Sequence, residues 1–403
     1  MNFKETIEMI KGKIPGNING VERETIISEE IKILSSKNIM IFKEQFENLL
    51  KTMIEKNASD MDIGGLGCKE YIWYRVNGIK KPEMSLNTNS IDETDILLQS
   101  ILIERQRDLL LEQRNLDFSY QFNSNGCNAR FRGDMYFDLN HLCLNMRLIP
   151  QEIRQYKNLG FHPNVSKAMN LTNEKVGLIL ITGITGSGKS STLDSIIDAN
   201  NKTADAHIVI IASPIETVHK PIRSIIRHRE VGKDVLSFKE GTVQALRQDP
   251  DIIVVGEMRD PDTIMTALEV TDSGHKVFST LHTASAAESI DRIIAECPTE
   301  EQDRVRVRLA DTLRCVVSQK LVQGLNGKLV LAKEVMLMIP PIAAAIKNNS
   351  IGEIYQMINE SGALGMVTLE KDLLKLYQEK KISHESAINI ANNKKRMNEL
   401  LSM

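Results

Sequence analysis

From Phe42 onward apolar side chains recur at Phe42, Phe46, Leu49, Leu50, Met53 and Ile54, a spacing that turns one face of a helix toward a core. The stretches "YIWYRVNGIKK", "LDFSYQF", "NARFRGDMYFD" and "HLCLNMRLI" follow. They are β-branched or aromatic and broken by Gly and Asn, the pattern of antiparallel strands joined by turns. A mixed α/β domain over residues 42–150 is predicted. Before it, residues 1–41 carry a "GKIPGNING" interruption and read as an extension of unknown role, either a loose leader or an extra packing layer. Residues 151–170, with "KNLGFHPNVSKAMN", read as a linker running into a helix. The period then changes: "GLILIT", "HIVIIA", "DIIVVG" and "KVFSTLH" alternate with helical patterns from about Lys189, near residues 235–248 and from Pro261. Apolar strands separated by helices predict a parallel sheet covered on both faces, over residues 171–335. After Thr299 the chain reads as helices to its end, with one short strand pair around "LNGKLVLAKEVML", so residues 336–403 form a helical C-terminal region.

Composition narrows the class. With 403 residues, 42% hydrophobic and 26% charged, the chain is an ordinary globular protein long enough for two domains. Its 50 basic and 53 acidic residues leave a net charge of -3, which offers no footprint for a protein that neutralises many phosphates of a nucleic acid. The apolar runs are strand-sized and far short of the roughly 20 residues that span a bilayer. No charged-then-apolar signal opens the chain, so a cytoplasmic location is expected. Cys68, Cys127, Cys143, Cys297 and Cys315 form no Cys-x-x-Cys pair, and free thiols in a reducing compartment are expected.

Chemistry concentrates in "GITGSGKS", residues 183–190. It sits between a strand and a helix, the context in which Gly-x4-Gly-Lys-Ser is a phosphate-binding loop. Its glycines let backbone amides curl around a β-phosphate, and the helix N-terminus adds partial positive charge. Lys189 would reach the β- and γ-phosphates, and the Ser190 hydroxyl would hold Mg2+. Downstream, "DPDIIVVGEMRD" places Glu257 at the end of a hydrophobic strand, where a second acid would orient Mg2+ and its waters. His275 and His282 flank the strand in "SGHKVFSTLHT" and are expected at one edge of the sheet. They lack the Cys or acid partners of a metal site; for His282, sensing a γ-phosphate and a structural hydrogen bond both stand.

With that loop, "RQDPDIIVVGEMRDPDTIMTALEVTDSGHKVFSTLHT" and "RVRVRLADTLRCVVSQKLV" in view, the chain resembles the type IV pilus retraction ATPases, the PilT-type motors of the secretion-ATPase superfamily. The similarity runs from about Leu49 to Leu376 and includes "LLKTMIEKNASDMDI", where the family usually has His in place of Asp62. The resemblance implies an α/β protein with an N-terminal PAS-like α+β domain, a RecA-like P-loop ATPase domain with a helical C-terminal part, and ATP bound between the domains. It implies a homohexameric ring, cytoplasmic and peripheral at the inner membrane, whose partners are a pilus platform protein and a related retraction ATPase; no nucleic acid is expected. The nucleotide-binding loop falls on Gly183, Thr185, Gly186, Ser187, Gly188, Lys189, Ser190 and Ser191, and the Walker B acid on Glu257, which would meet Mg2+ through water. The paired-histidine segment falls on His275 and His282. Arginines from the N-terminal domain fall on Arg130 and Arg132 in "RFR" and on Arg147, always-charged groups able to neutralise charge growing on the γ-phosphate.

Two segments depart from that pattern. Where the family usually reads "EDPIE" this chain reads "ASPIE", so Ala212 and Ser213 replace two carboxylates while Glu216 remains. Glu216 is the better candidate for polarising the attacking water, and hydrolysis is expected to persist. The family's "AIRNLIRE" corresponds to "PIAAAIKNN", residues 341–349, which has lost both arginines and the Glu. Other readings therefore stand beside the motor: a nucleotide-binding, weakly active accessory ring component, or an assembly or secretion ATPase of the same superfamily. The missing tetracysteine segment weighs against the last. A DNA translocase with the same core is a further reading, which the near-neutral charge does not favour.

Overall fold

The computed structural model describes residues 2–84, 90–124, 127–150 and 152–402. Its contacts divide the chain into two units, Met1–Gln151 with Ser213–Thr217, and Glu152–Ala212 with Val218–Met403.

Unit 1 begins with helices α1 (Phe3–Lys11), α2 (Gly20–Lys32) and α3 (Ser36–Glu55). Strands β1 (Asp60–Gly64), β2 (Trp73–Val76) and β3 (Ile79–Pro82), helices α4 (Ile91–Ser100) and α5 (Glu104–Gln113), and strands β4 (Asn115–Ser124), β5 (Cys127–Asp138) and β6 (His141–Ile149) complete it. The strands form an antiparallel sheet in the order β3-β2-β1-β6-β5-β4. Helix α3 is capped by Ser35, whose side chain accepts the Asn38 N–H, and buries Phe42, Phe46, Leu49, Leu50 and Met53. Residues 2–41 are a packing layer: Ile7, Ile10, Ile27 and Ile31 join the same core as Phe42 and Phe131. Arg23 fixes α2 to α4 by donating to Asp95 Oδ2 and Asp92 Oδ1, each at 2.7 Å, and Gln99 Nε2 donates to Glu24 Oε2 at 2.7 Å. Strand period sorts β5 by face: Phe131 and Met135 are fully buried, which puts Arg130 and Arg132 on the opposite face.

Unit 2 contains α6 (Pro163–Met169), β7 (Gly177–Thr182), α7 (Lys189–Thr203), β8 (His207–Ala212), β9 (Ile225–Glu230), α8 (Phe238–Ala245), β10 (Ile252–Val255), α9 (Pro261–Asp272), β11 (Lys276–Leu281), α10 (Ala286–Ala295) and α11 (Gln302–Thr312). It continues with β12 (Leu313–Gln323), β13 (Leu329–Leu337), α12 (Pro340–Lys347), α13 (Ile354–Glu360), α14 (Leu369–Gln378), α15 (His384–Ile390) and α16 (Lys394–Ser402). The sheet order is β13-β12-β7-β11-β10-β8-β9; only the β12–β13 pair is antiparallel. Strands β7, β10 and β11 are buried along their whole length, the behaviour of parallel strands covered on both faces. Fully buried Lys276 enters the bottom of this layer because its Nζ donates to Ala168 O and Glu174 O at 2.7 and 2.8 Å, which compensates its burial.

One expectation is corrected here, and one strand was not foreseen. Residues 313–323, read as helix, form β12, one of the longest strands; its β-branched and apolar side chains are buried between β7 and β13, and that packing overrides a helical reading. Strand β9 (Ile225–Glu230) lay in a stretch with no apolar run. Its three basic residues suit an edge.

Candidate nucleotide-binding and catalytic site

The loop between β7 and α7 requires backbone that side-chained residues rarely adopt. Gly183, Gly186 and Gly188 have φ of 148°, 79° and 85°, and a Cβ on Gly183 would collide with Gln319 O and Ser187 Oγ. Gly188 occupies the N-cap of α7, so the first amides of that helix face the loop. Lys189 folds back over it, donating to Gly183 O at 2.7 Å and Ile184 O at 3.2 Å. Burial pushes its ammonium below the ordinary value, and the charge of Glu257 opposes that shift. Ser187 Oγ is buried with no partner among the described residues; Ser187 O accepts Gln319 Nε2 at 2.9 Å. A cavity of about 580 Å³ opens beside these residues, lined by Gly188, Ser191, Thr192, Leu321 and Leu331. Thr185 and Ser190 are exposed at the loop.

Glu257 follows β10 and His282 follows β11, so both lie with Lys189 at the C-terminal ends of parallel strands, where open α/β sheets place ligands. Glu257 pairs with Arg259 Nε at 2.6 Å and His282 Nε2 at 3.1 Å. Burial, and then the Lys189 charge, hold the His282 imidazole below its ordinary value while Glu257 opposes them. Buried hydroxyls set the spacing of these loops: Thr182 Oγ1 and Ser318 Oγ lie 2.7 Å apart, Thr283 Oγ1 and Ser289 Oγ 2.6 Å. His275 is not part of this group. It precedes β11 while His282 follows it, and its Nδ1 contacts Ser273 Oγ and Val270 O at 3.0 and 3.2 Å. The expectation that both histidines share an edge is corrected, because a six-residue strand separates them by about 20 Å at 3.3 Å per residue.

Glu216, Arg130 and Arg132 come together in unit 1, while Arg147 is engaged with Asp60. Arg130 Nε donates to Ile215 O at 2.7 Å, and its other nitrogens to Ser119 Oγ at 2.7 Å and Gln121 Oε1 at 3.2 Å. Arg132 lies 3.7 Å from Glu216 Oε1 and 3.2 Å from Asp117 Oδ1. Arg147 donates through Nε to Asp60 Oδ1 at 2.8 Å. Burial works against ionised Asp60, but the Ser59 hydroxyl and then Arg147 hold its carboxyl below the ordinary value. Sequence reasoning passed over Gln319 and Arg259. Arg259 stands two residues after Glu257 in "GEMRD" and could have been noticed; Gln319 could not, because its contact with Ser187 spans 132 positions.

This loop, opposed by an acid and a histidine at the switch point of a mainly parallel sheet, defines a P-loop nucleotide hydrolase. The chain belongs to the type II/IV secretion system protein family, an ATPase family whose profile matches residues 36–399. It is 39% identical over 339 residues to the type IV pilus retraction ATPase PilT of Pseudomonas aeruginosa, covering 84% of this chain and 96% of that one. A twitching motility protein of Neisseria gonorrhoeae is 35% identical over 328 residues, 80% of this chain and 85% of its own. Among solved structures, the pilus retraction motor PilT with bound ADP superposes with a TM-score of 0.77 at 35% identity, covering 88% of this chain and 98% of that one.

Proposed function

We infer that this protein is a PilT-type motor that hydrolyses ATP to retract a type IV pilus. The observation that carries the reading is the convergence of Lys189, Glu257 and His282 at one end of β7, β10 and β11, in a chain whose family match spans nearly its whole length. Loop amides and Lys189 would neutralise the phosphates of ATP, and the cavity lined by Leu321 and Leu331 gives room for base and ribose. The oxygen donors suit Mg2+: the Ser190 hydroxyl would bind it and Glu257 would hold it through water, the ion supplying charge to the β- and γ-phosphate oxygens. Glu216 would accept a proton from the attacking water, and Arg130, Arg132 and Arg147 would offset charge on the γ-phosphate.

In the finer reading, unit 1 is a PAS-like domain and unit 2 a RecA-like domain with a helical C-terminal part. Six copies form a ring on the cytoplasmic face of the inner membrane, bound to a platform protein and to a related retraction ATPase. No helix among the described residues is long and apolar enough to cross a membrane, so attachment through a protein partner is the arrangement proposed. A second reading, a weakly active accessory ring component, draws on α12, where the one basic residue, Lys347, is engaged with Asp311 at 2.6 Å. Phosphate release from Mg-ATP decides between them, with oligomer size measured in the same samples. Turnover by a hexamer that Glu216→Gln and Glu257→Gln both stop supports the motor; tight nucleotide binding without turnover supports the accessory component.

A further inference from the structure

The five residues Ser213–Thr217 pack as part of unit 1, whereas Ala212 before them and Val218 after them belong to unit 2. Glu216 thus rides on a short strap with both ends in the nucleotide-binding unit. Arg130 holds the strap by Ile215 O. What happens three residues beyond Glu216 is less expected. His219 is buried to 2% exposure, and its Nε2 lies 3.1 Å from Asp194 Oδ1 on α7. Its backbone N–H donates to His228 Nε2 at 3.0 Å, and the two imidazoles stack with centroids 6.0 Å apart and planes 12° from parallel. The same return segment is stitched to α7 again: Asn201 Nδ2 donates to Lys220 O at 2.9 Å, and Asn201 Oδ1 accepts the Ile222 N–H at 3.0 Å.

We propose that His219 is a positioning residue, which ties the chain carrying Glu216 to the helix that begins with Lys189 and Ser190. The proposal rests on the reading of Glu216 as the water-activating acid. A histidine that merely filled space would not need a carboxylate on α7. Its other nitrogen, Nδ1, is buried without a partner among the described residues, so the ring gives up one hydrogen bond in an enclosed place while keeping the one that reaches Asp194. Because α7 starts at the phosphate loop, the His219–Asp194 contact links the return segment of the strap to the helix that carries Lys189 and Ser190.

The test is steady-state phosphate release from the full chain with Mg-ATP, together with binding of a fluorescent ADP analogue, for His219→Leu, His219→Gln and Asp194→Ala. Misplacing a reacting group by an ångström costs roughly a hundredfold in rate. His219→Leu and Asp194→Ala should therefore lose tenfold or more in kcat, with KM for ATP and analogue affinity within about twofold of the parent. Gln keeps a donor near the place of Nε2 and should restore most of the rate. Parental kcat in both disrupting variants overturns the proposal. So does a joint loss of kcat and analogue affinity, or a Gln variant no better than Leu, since either makes His219 a support of α7 alone. If the Leu variant does not fold, Asp194→Ala breaks the same bond from the helix side and decides. Glu216→Gln, run in parallel, separates the two readings: unchanged turnover there removes the assignment of Glu216, whereas a dead Glu216→Gln beside unaffected His219 and Asp194 variants removes only the role of His219.

Discussion

His282 Nε2 lies 3.1 Å from Glu257 Oε1, and Arg259 holds the other oxygen of that carboxylate at 2.6 Å. Glu257 is therefore oriented from two sides. Replacing it with Gln should leave ADP binding intact and cut phosphate release by roughly a hundredfold, the scale of losing one preorganised electrostatic group. Isothermal binding and phosphate release in the same preparation check this; parental turnover would remove Glu257 from the chemistry. Burial and the Lys189 charge hold His282 below its ordinary value, so a loss of turnover caused by its protonation should appear as pH is lowered, which a pH–rate profile checks.

Lys189→Ala removes the ammonium that now caps Gly183 O and Ile184 O. Hydrogen bonds to charged groups are worth about 1.5–3 kcal/mol, so ADP should bind roughly ten- to hundredfold more weakly. An unchanged dissociation constant would contradict the placement of the phosphates.

Arg130 donates to Ile215 O beside Glu216, to Ser119 Oγ and to Gln121 Oε1. Lysine presents a single ammonium in place of that planar fork. Arg130→Lys should lower kcat roughly tenfold while leaving the thermal midpoint nearly unchanged. Arg147 is different: it is well exposed and shares Asp60 with Arg75, so Arg147→Ala should cost at most about 1 kcal/mol of stability. An unchanged kcat in Arg130→Lys, or a fall of many degrees in the thermal midpoint of Arg147→Ala, would contradict these expectations.

The cluster at α2 makes a pH prediction. Burial, reinforced by Asp95, drives the Glu24 carboxyl up to about 8. Between the ordinary carboxylate value of 4.5 and about 8 the folded state binds more protons than the unfolded one, so stability falls as pH rises through that window. His141 is raised chiefly by its hydrogen bond to Asp95. Its contribution is complete below the ordinary value of 6.5 and lost as pH climbs through the raised one, in the same direction. The protection of α2 amides, taken relative to the base-catalysed exchange of an unfolded chain, should be lower at pH 9 than at pH 6, and Glu24→Gln should flatten the difference. Protection in α2 that is indifferent to pH would count against the buried acid.

How much of this could be read from the chain follows from range. The strands at residues 177–182, 207–212, 252–255 and 276–281 announce themselves as continuous apolar runs, and the phosphate loop as glycines between a strand and a helix; both are local signals. Strand β12 was hidden because Arg314, Gln319 and Lys320 interrupt its apolar pattern, and only its neighbours β7 and β13 make it a strand. The two histidines were misjudged for want of a length: a six-residue strand carries its ends to opposite edges. The approach of Arg130 to Ile215 spans 85 positions, and nothing in either segment advertises the other.

The family profile begins at residue 36, but the folding unit does not. Cutting the chain there would strip Ile7, Ile10, Ile27 and Ile31 from a core they share with Phe42. It would also leave Asp95, fully buried on α4, without the guanidinium that neutralises it. A buried carboxylate that loses its arginine partner is costly by several kcal/mol. The two leading helices and the domain behind them are thus mutually dependent: neither can be trimmed, swapped or grafted onto a relative without carrying Arg23, Glu24, Asp95 and Gln99 as a set.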